Sequence, residues 1–143
     1  ETTNIATVNT SKLTKLKELS ISGYQGMTSL DLSKNTALED LQVVSVNFTV
    51  LDLSVLPNLS GLNISGSPFQ VLTLAKDVPL KYLEIRRRRG REISQELRTQ
   101  LINKLPTWRR SDPGYIKVSK GQLTAAQKKT LADKHWDIEE LED

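Results

Sequence analysis

The feature that most constrains the fold is one apolar pattern, L-x-x-L-x-L, recurring every ten or eleven residues over the first 85 positions. It occurs twice in residues 27–44, MTSLDLSKNTALEDLQVV, as Met27/Leu30/Leu32 and Leu38/Leu41/Val43. The series begins with Ile5/Val8/Thr10 and Leu16/Leu19/Ile21. It continues with Phe48/Leu51/Leu53, Leu59/Leu62/Ile64, Phe69/Leu72/Leu74 and Leu80/Leu83/Ile85. Alternate units lie 21 or 22 residues apart and differ in kind. Those starting at 5, 27 and 48 continue as VNTSKLTKL, LDLSKNTAL and LDLSVLPNL, whereas LKELSIS, LEDLQVV, LSGLNIS and LKYLEIR do not. The true repeat is therefore about 21 residues long, with two short extended segments per coil.

One such segment has an apolar face that it cannot bury alone. Stacking coils about 4.8 Å apart pairs their backbones as a parallel ladder and aligns the leucines into a continuous core. Alternation within L-x-L sends leucines inward and the intervening residues outward. The stretches SKNT, VLPN, SGSP and AKDVP supply the residue types that tight corners need. With aromatics at only 5% of the chain, leucine and valine must build that core.

The repeat stops after Ile85, at RRRRGRE. ISQELRTQLINKLP then reads as a helix capped by Ser94, with Glu96 in its first turn and Pro106 at its end. Its Leu97, Leu101, Ile102 and Leu105 share a face. GYIKVS reads as a strand, and LTAAQKKTLADK as a second helix opened by a Thr124/Gln127 capping box. HWDIEEL reads as a last strand. Right-handed crossovers then add GYIKVS and HWDI, in parallel, beyond LKYLEIR, with helices over the other face. Such a cap covers an otherwise open coil end. The expected fold is an α/β leucine-rich-repeat solenoid with short parallel strands and a C-terminal α/β cap. It forms a single domain over 1–143, with about four coils in 5–88 and the cap in 89–143.

The segments LTKLKELSIS, MTSLDLSKNTALEDL and FTVLDLSVLPNLSGLNIS resemble the 21-residue leucine-rich repeats of secreted and surface-attached proteins of Bacteroides-type bacteria, related in pattern to internalin-like repeats. The likeness covers about 5–88, and LINKLP…YIKVS…LTAAQKKTLADKHWDI resembles the cap common in these proteins. The family usually has Cys or Leu at the third apolar position and Asn three residues later. Here Ile21, Val43, Ile64 and Ile85 stand at the first place, and Tyr24, Val46, Ser67 and Arg88 at the second. The family's buried asparagine ladder is thus absent from the sequence, so the turns should be closed by other groups and the coils less regular. The resemblance implies a non-enzymatic module on the cell surface or outside the cell.

There is no cysteine, which excludes disulfides, thiolate metal sites and cysteine nucleophiles. No apolar run is long enough to span a membrane, and ETTNIATVNT does not read as a signal peptide. His135 is the single histidine and reads as a helix-end residue without a catalytic partner. Asp31 and Asp52 hold equivalent places in successive LDLS units and read as turn acids beside Ser33 and Ser54 rather than metal ligands. No phosphate-binding glycine motif is present, and no cofactor or metal is expected.

Two surfaces stand out. The outward positions of alternate units, Glu18, Ser20, Asp40, Gln42, Asn63, Tyr82, Glu84 and Arg86, form one sheet face, the default recognition surface of such a fold. Ser22, Val44, Gly61 and Ser65 are assigned to it as well. The other surface is a basic block. Residues 1–79 carry five Lys/Arg against seven Asp/Glu, whereas residues 80–143 carry fifteen against ten. The excess centres on Arg86, Arg87, Arg88, Arg89 and Arg91, with Arg98, Trp108, Arg109 and Arg110 expected nearby. Adjacent arginines repel one another, a cost that a polyanion relieves. Pairing with Glu84, Glu92, Glu96 and the C-terminal acids relieves it too. The leading expectation is a monomer that binds a protein or glycan through the sheet face. A sulfated glycan held by the basic block and a ligand-free spacer are the alternatives. Nucleic acid is disfavoured by the acidic repeats and the lack of interleaved aromatics.

Overall fold

Alternating leucines decide where the strands form. The computed structural model describes residues 8–143, so Ile5 of the first unit lies outside the described residues. In chain order the elements are β1 (Glu18–Ser22), β2 (Asp40–Val44), β3 (Val50–Leu53), β4 (Gly61–Asn63), β5 (Val71–Leu74), β6 (Tyr82–Glu84), α1 (Gln95–Lys104), β7 (Gly114–Ser119), α2 (Ala125–Asp133) and β8 (Trp136–Leu141). The fold is mixed α/β. A six-stranded parallel sheet runs β1-β2-β4-β6-β7-β8, and β3 and β5 pair in parallel as a second sheet.

Register follows the repeat. Leu19, Leu41, Leu62, Leu83, Ile116 and Ile138 are successive partners across the large sheet. Leu41 and Leu83 are wholly buried, and Leu62 almost so. In the second sheet Leu51 pairs with Leu72 and Leu53 with Leu74. The two inward rows meet in one core with Phe48 and Phe69, whose rings pack edge to face at 5.5 Å. Leu30 and Leu32 of the preceding unit are buried in that core, although no ladder joins them to β3 among the described residues.

The corners repeat as well. Leu13, Asn35 and Leu56 each donate an N–H to the carbonyl three residues back, and each accepts one from three residues ahead. Buried Asn35 does more. Its Nδ2 donates to the Thr10 and Leu13 carbonyls at 2.9 and 3.0 Å, and its Oδ1 accepts from Thr10 Oγ1 at 2.7 Å. At the opposite corner, where the asparagine ladder is missing, buried Ser67 accepts from the Val46 N–H at 3.3 Å and donates to the Val43 carbonyl at 3.0 Å. Gln25 donates to the Ser45 carbonyl, and Asn47 Nδ2 to the Gln25 carbonyl at 2.9 Å. Side chains from distant segments thus satisfy backbone groups at these turns.

Two helices and two further strands follow at the β6 edge of the large sheet. Ser94 Oγ accepts from the Leu97 N–H at 3.1 Å and opens α1. Thr124 and Gln127 exchange hydrogen bonds of 3.0 and 3.1 Å as a capping box. The α2 helix ends at Lys134, whose Nζ reaches the Asn103 and Leu105 carbonyls at the end of α1, at 2.6 and 2.7 Å. Burial lowers the pKa of that ammonium. His135 follows with φ +59°, a left-handed residue that turns the chain into β8. Gly114 is required by close approach, because a Cβ there would lie 2.5 Å from the Trp136 ring and 2.8 Å from Trp108.

Candidate ligand-binding surfaces

Parallel register turns the outward residues into rows. One row is Glu18, Asp40, Gly61, Tyr82, Tyr115 and Asp137, and the next is Ser20, Gln42, Asn63, Glu84, Lys117 and Glu139. The structure brings Glu18, Ser20, Asp40, Gln42, Asn63, Tyr82 and Glu84 onto one face, as the alternation predicts. Arg86 follows just beyond β6. Val44, Gly61 and Ser65, expected outward, are buried, Gly61 beneath the Asp40 carboxylate and Ser65 with its Oγ accepting the Arg86 N–H at 3.0 Å.

The cap enlarges this face with Tyr115, Lys117, Asp137 and Glu139, which sequence reasoning missed. Their alternation is visible in GYIKVS and WDIEEL, but crossovers of unequal length hide the register. Tyr82 and Tyr115 stack at 6.0 Å, with Lys117 Nζ about 6 Å from both rings. Tyr82 donates to Glu84 at 2.9 Å and Tyr115 to Glu139. Burial and the Glu84 carboxylate push the Tyr82 hydroxyl far above its ordinary pKa, so it remains a donor. The rows carry five carboxylates against Lys117 alone, making the face acidic.

The basic block lies at the C-terminal ends of the same strands. A cleft of about 660 Å³ is lined by Ser22, Gly23, Gln25, Ser45 and Gly66 together with Arg86, Arg87, Arg88, Arg89 and Arg91. Asp143 lines it as well. Arg109 and Arg110 are not part of it. They precede Gly114, at the opposite end of β7 from Ser119, which meets Arg87. Trp108 sits at that far end too, donating Nε1–H to the Leu80 carbonyl at 3.0 Å beneath Lys81.

Several arginines are committed internally. Arg91 donates to Gln25 Oε1 at 2.7 Å, to the Val46 carbonyl at 2.6 Å and to Asn47. Arg87 pairs with Glu92 at 3.0 Å and with Asp143 at 2.9 Å. Arg98 is not in the cleft but buried, bonded to Glu92 at 2.7 Å and to the Gln122 and Ile93 carbonyls at 2.8 and 2.9 Å. Burial alone would raise the Glu92 pKa. Hydrogen bonds from Gln122 and Arg87 and the charge of Arg98 outweigh it, holding the carboxyl below its ordinary value. Arg88 reaches only to 4.0 Å from Glu84. Among the described residues no carboxylate lies within 4.0 Å of Arg89.

Asp31 and Asp52 behave as turn acids. Asp52 Oδ1 accepts from Ser54 Oγ at 2.5 Å and from the Ser54 N–H at 2.9 Å, Asp31 Oδ1 accepts the Ser33 N–H at 2.9 Å, and these bonds lower both carboxyl pKa values. No group of three or more His, Asp or Glu fit to hold a metal occurs among the described residues, and no helix there is long and apolar enough to cross a membrane. No family model matches the chain, and no curated protein or solved structure matches it either.

Proposed function

We propose that the chain is a leucine-rich-repeat solenoid acting as a non-enzymatic binding module of an exported bacterial protein. Its ligand is a protein with a basic surface, held on the outward face of the large sheet. The repeat pattern, the Bacteroides-type resemblance and the in-register parallel strands support the solenoid reading. One observation carries the choice of face: two strand rows display Glu18, Asp40, Glu84, Asp137 and Glu139 on the face that holds the Tyr82/Tyr115 stack. A broad, flat, acidic surface with rigid aromatics suits a macromolecule better than a small substrate.

The test is charge reversal at exposed positions that make no internal hydrogen bond, Glu18→Lys, Asp40→Lys and Asp137→Lys together. Proteins and glycans captured from an immobilised panel by the native chain, more weakly as salt rises, should be lost by the triple variant. Retention of the same partners by the variant would move the interface elsewhere. A native chain that captures nothing would favour the spacer reading.

A further inference from the structure

The arginine cleft is a second surface, distinct from the acidic face and independent of the reading above. Its lining holds five guanidinium groups against one carboxylate, Asp143. That acid marks where an anion fits. Its Oδ2 accepts from Arg87 at 2.9 Å, and its Oδ1 accepts from Ser119 Oγ. The Ser119 hydrogen bond, opposed by burial and aided by the charges of Arg87 and Arg86, holds this carboxyl below its usual range. Part of the remaining capacity is unused, although Arg91 is committed to Gln25, Val46 and Asn47 and Arg86 Nη2 donates to the Glu142 carbonyl at 2.8 Å. Arg86 Nε is buried without an acceptor, Arg88 is 4.0 Å from its only nearby acid, and Arg89 projects at φ +51° with none. Gly66 lets the Arg88 stem lie against the wall, since a Cβ there would be 2.7 Å from Arg88 Cβ.

The rest of the lining narrows the ligand class. It offers the Ser22 and Ser45 hydroxyls and glycine backbone, the Gln25 amide being already engaged by Ser45 and Arg91. Among the described residues no aromatic ring lines the cleft, so stacked nucleic-acid bases have no platform. No apolar side chain among those residues lines it either, so an acidic peptide has no anchor pocket. Guanidinium forks beside hydroxyls match sulfate or carboxylate groups on a polyhydroxylated chain. We propose that the cleft binds an acidic saccharide bearing sulfate esters or uronic carboxylates, and that Asp143 occupies one anion position until the ligand displaces it.

The opposing effects of two variants test this. Arg88→Gln with Arg89→Asn removes the uncommitted charges, and asparagine tolerates the left-handed backbone at 89. Asp143→Asn removes the internal competitor. Titration calorimetry with a heparin-derived hexasaccharide should show binding that the double arginine variant weakens at least tenfold and the Asp143 variant strengthens severalfold. The native affinity should fall steeply with salt, and the double variant should show a shallower slope. Thermal melts close to the native value would establish that both variants are folded, and Arg89→Asn alone is the fallback if the double variant is not. An affinity unchanged by the arginine variants, weaker binding by the Asp143 variant, or equal binding of single-stranded DNA of matched charge would each overturn the proposal. The sheet-face reversals lie on other residues, so either proposal can fail without the other.

Discussion

The repeats and the cap build the same sheet by different means. From β1 to β6 each strand follows its neighbour by 21 or 22 residues, with extended segments and tight corners between them. From β6 to β8 helices make the crossovers. Leucine does nearly all the work in the first region. Its buried polar residues are few and small, such as Asn35, Ser65 and Ser67. The cap instead buries Arg98, Gln122 and Gln127. Gln127 closes its own helix and also reaches Gln95 and Thr99 of α1 at 2.9 Å. Gln122 joins Glu92 at 2.6 Å to the Ile85 carbonyl at 3.0 Å, tying the network to the end of β6. A periodic ladder repeats one solution, whereas an aperiodic end needs directional bonds to define its packing.

Substitutions in the two regions sharpen this contrast. The largest effect belongs to the ladder. Leu62→Ala should cost about 3–4 kcal/mol, because the neighbouring strands cannot collapse onto the void. Denaturant unfolding followed by tryptophan fluorescence, which reports on the cap, should show it in full if both regions unfold together. A fluorescence midpoint unmoved by Leu62→Ala would mean that the cap unfolds separately.

Next comes Glu92→Ala, which leaves the Arg98 guanidinium buried without its carboxylate. Removing one member of a fully buried pair costs about 3–5 kcal/mol, and because the Glu92 side chain is 28% exposed we expect about 2–3 kcal/mol. The same group sets an acid dependence. Its folded pKa lies below the ordinary 4.5, so its stabilisation is complete above that value and is lost as pH falls through the folded pKa. Glu92→Gln should flatten the acid arm of the stability curve. An unaltered arm in that variant would assign the acid response to other carboxylates.

The smallest effect is local. Thr124→Ala removes one half of the α2 capping box and should cost about 1 kcal/mol in the same assay. A loss nearer zero would show that Gln127 holds the α2 N-terminus through its bonds to α1 alone.

Legibility in the sequence follows the same divide. The strand rows, the inward leucines and both helix caps are written locally, in spacings of two, four and twenty-one residues. The sheet-face residues from Glu18 to Glu84 share that legibility. What was hidden depends on contacts between distant segments. Arg98 looked like part of a basic surface because a one-dimensional charge count does not distinguish buried arginines from exposed ones. Arg109 and Arg110 looked adjacent to residues 86–91, yet the rise of β7 separates them. Arg91 was expected either to face a polyanion or to pair with nearby acids, and its actual partners, Val46, Asn47 and Gln25, lie 44 to 66 positions away.

Those bonds carry one more consequence. A leucine ladder has no intrinsic length, and duplicating residues 60–80 would add one more parallel strand to it with every inward position preserved. Each added strand displaces the earlier ones by about 4.8 Å. The Arg91 guanidinium, bonded to the turns that follow β1 and β2, does not reach across such a step. It acts as a gauge on strand number, so a tandem duplication would leave Val46, Asn47 and Gln25 without the group that joins them.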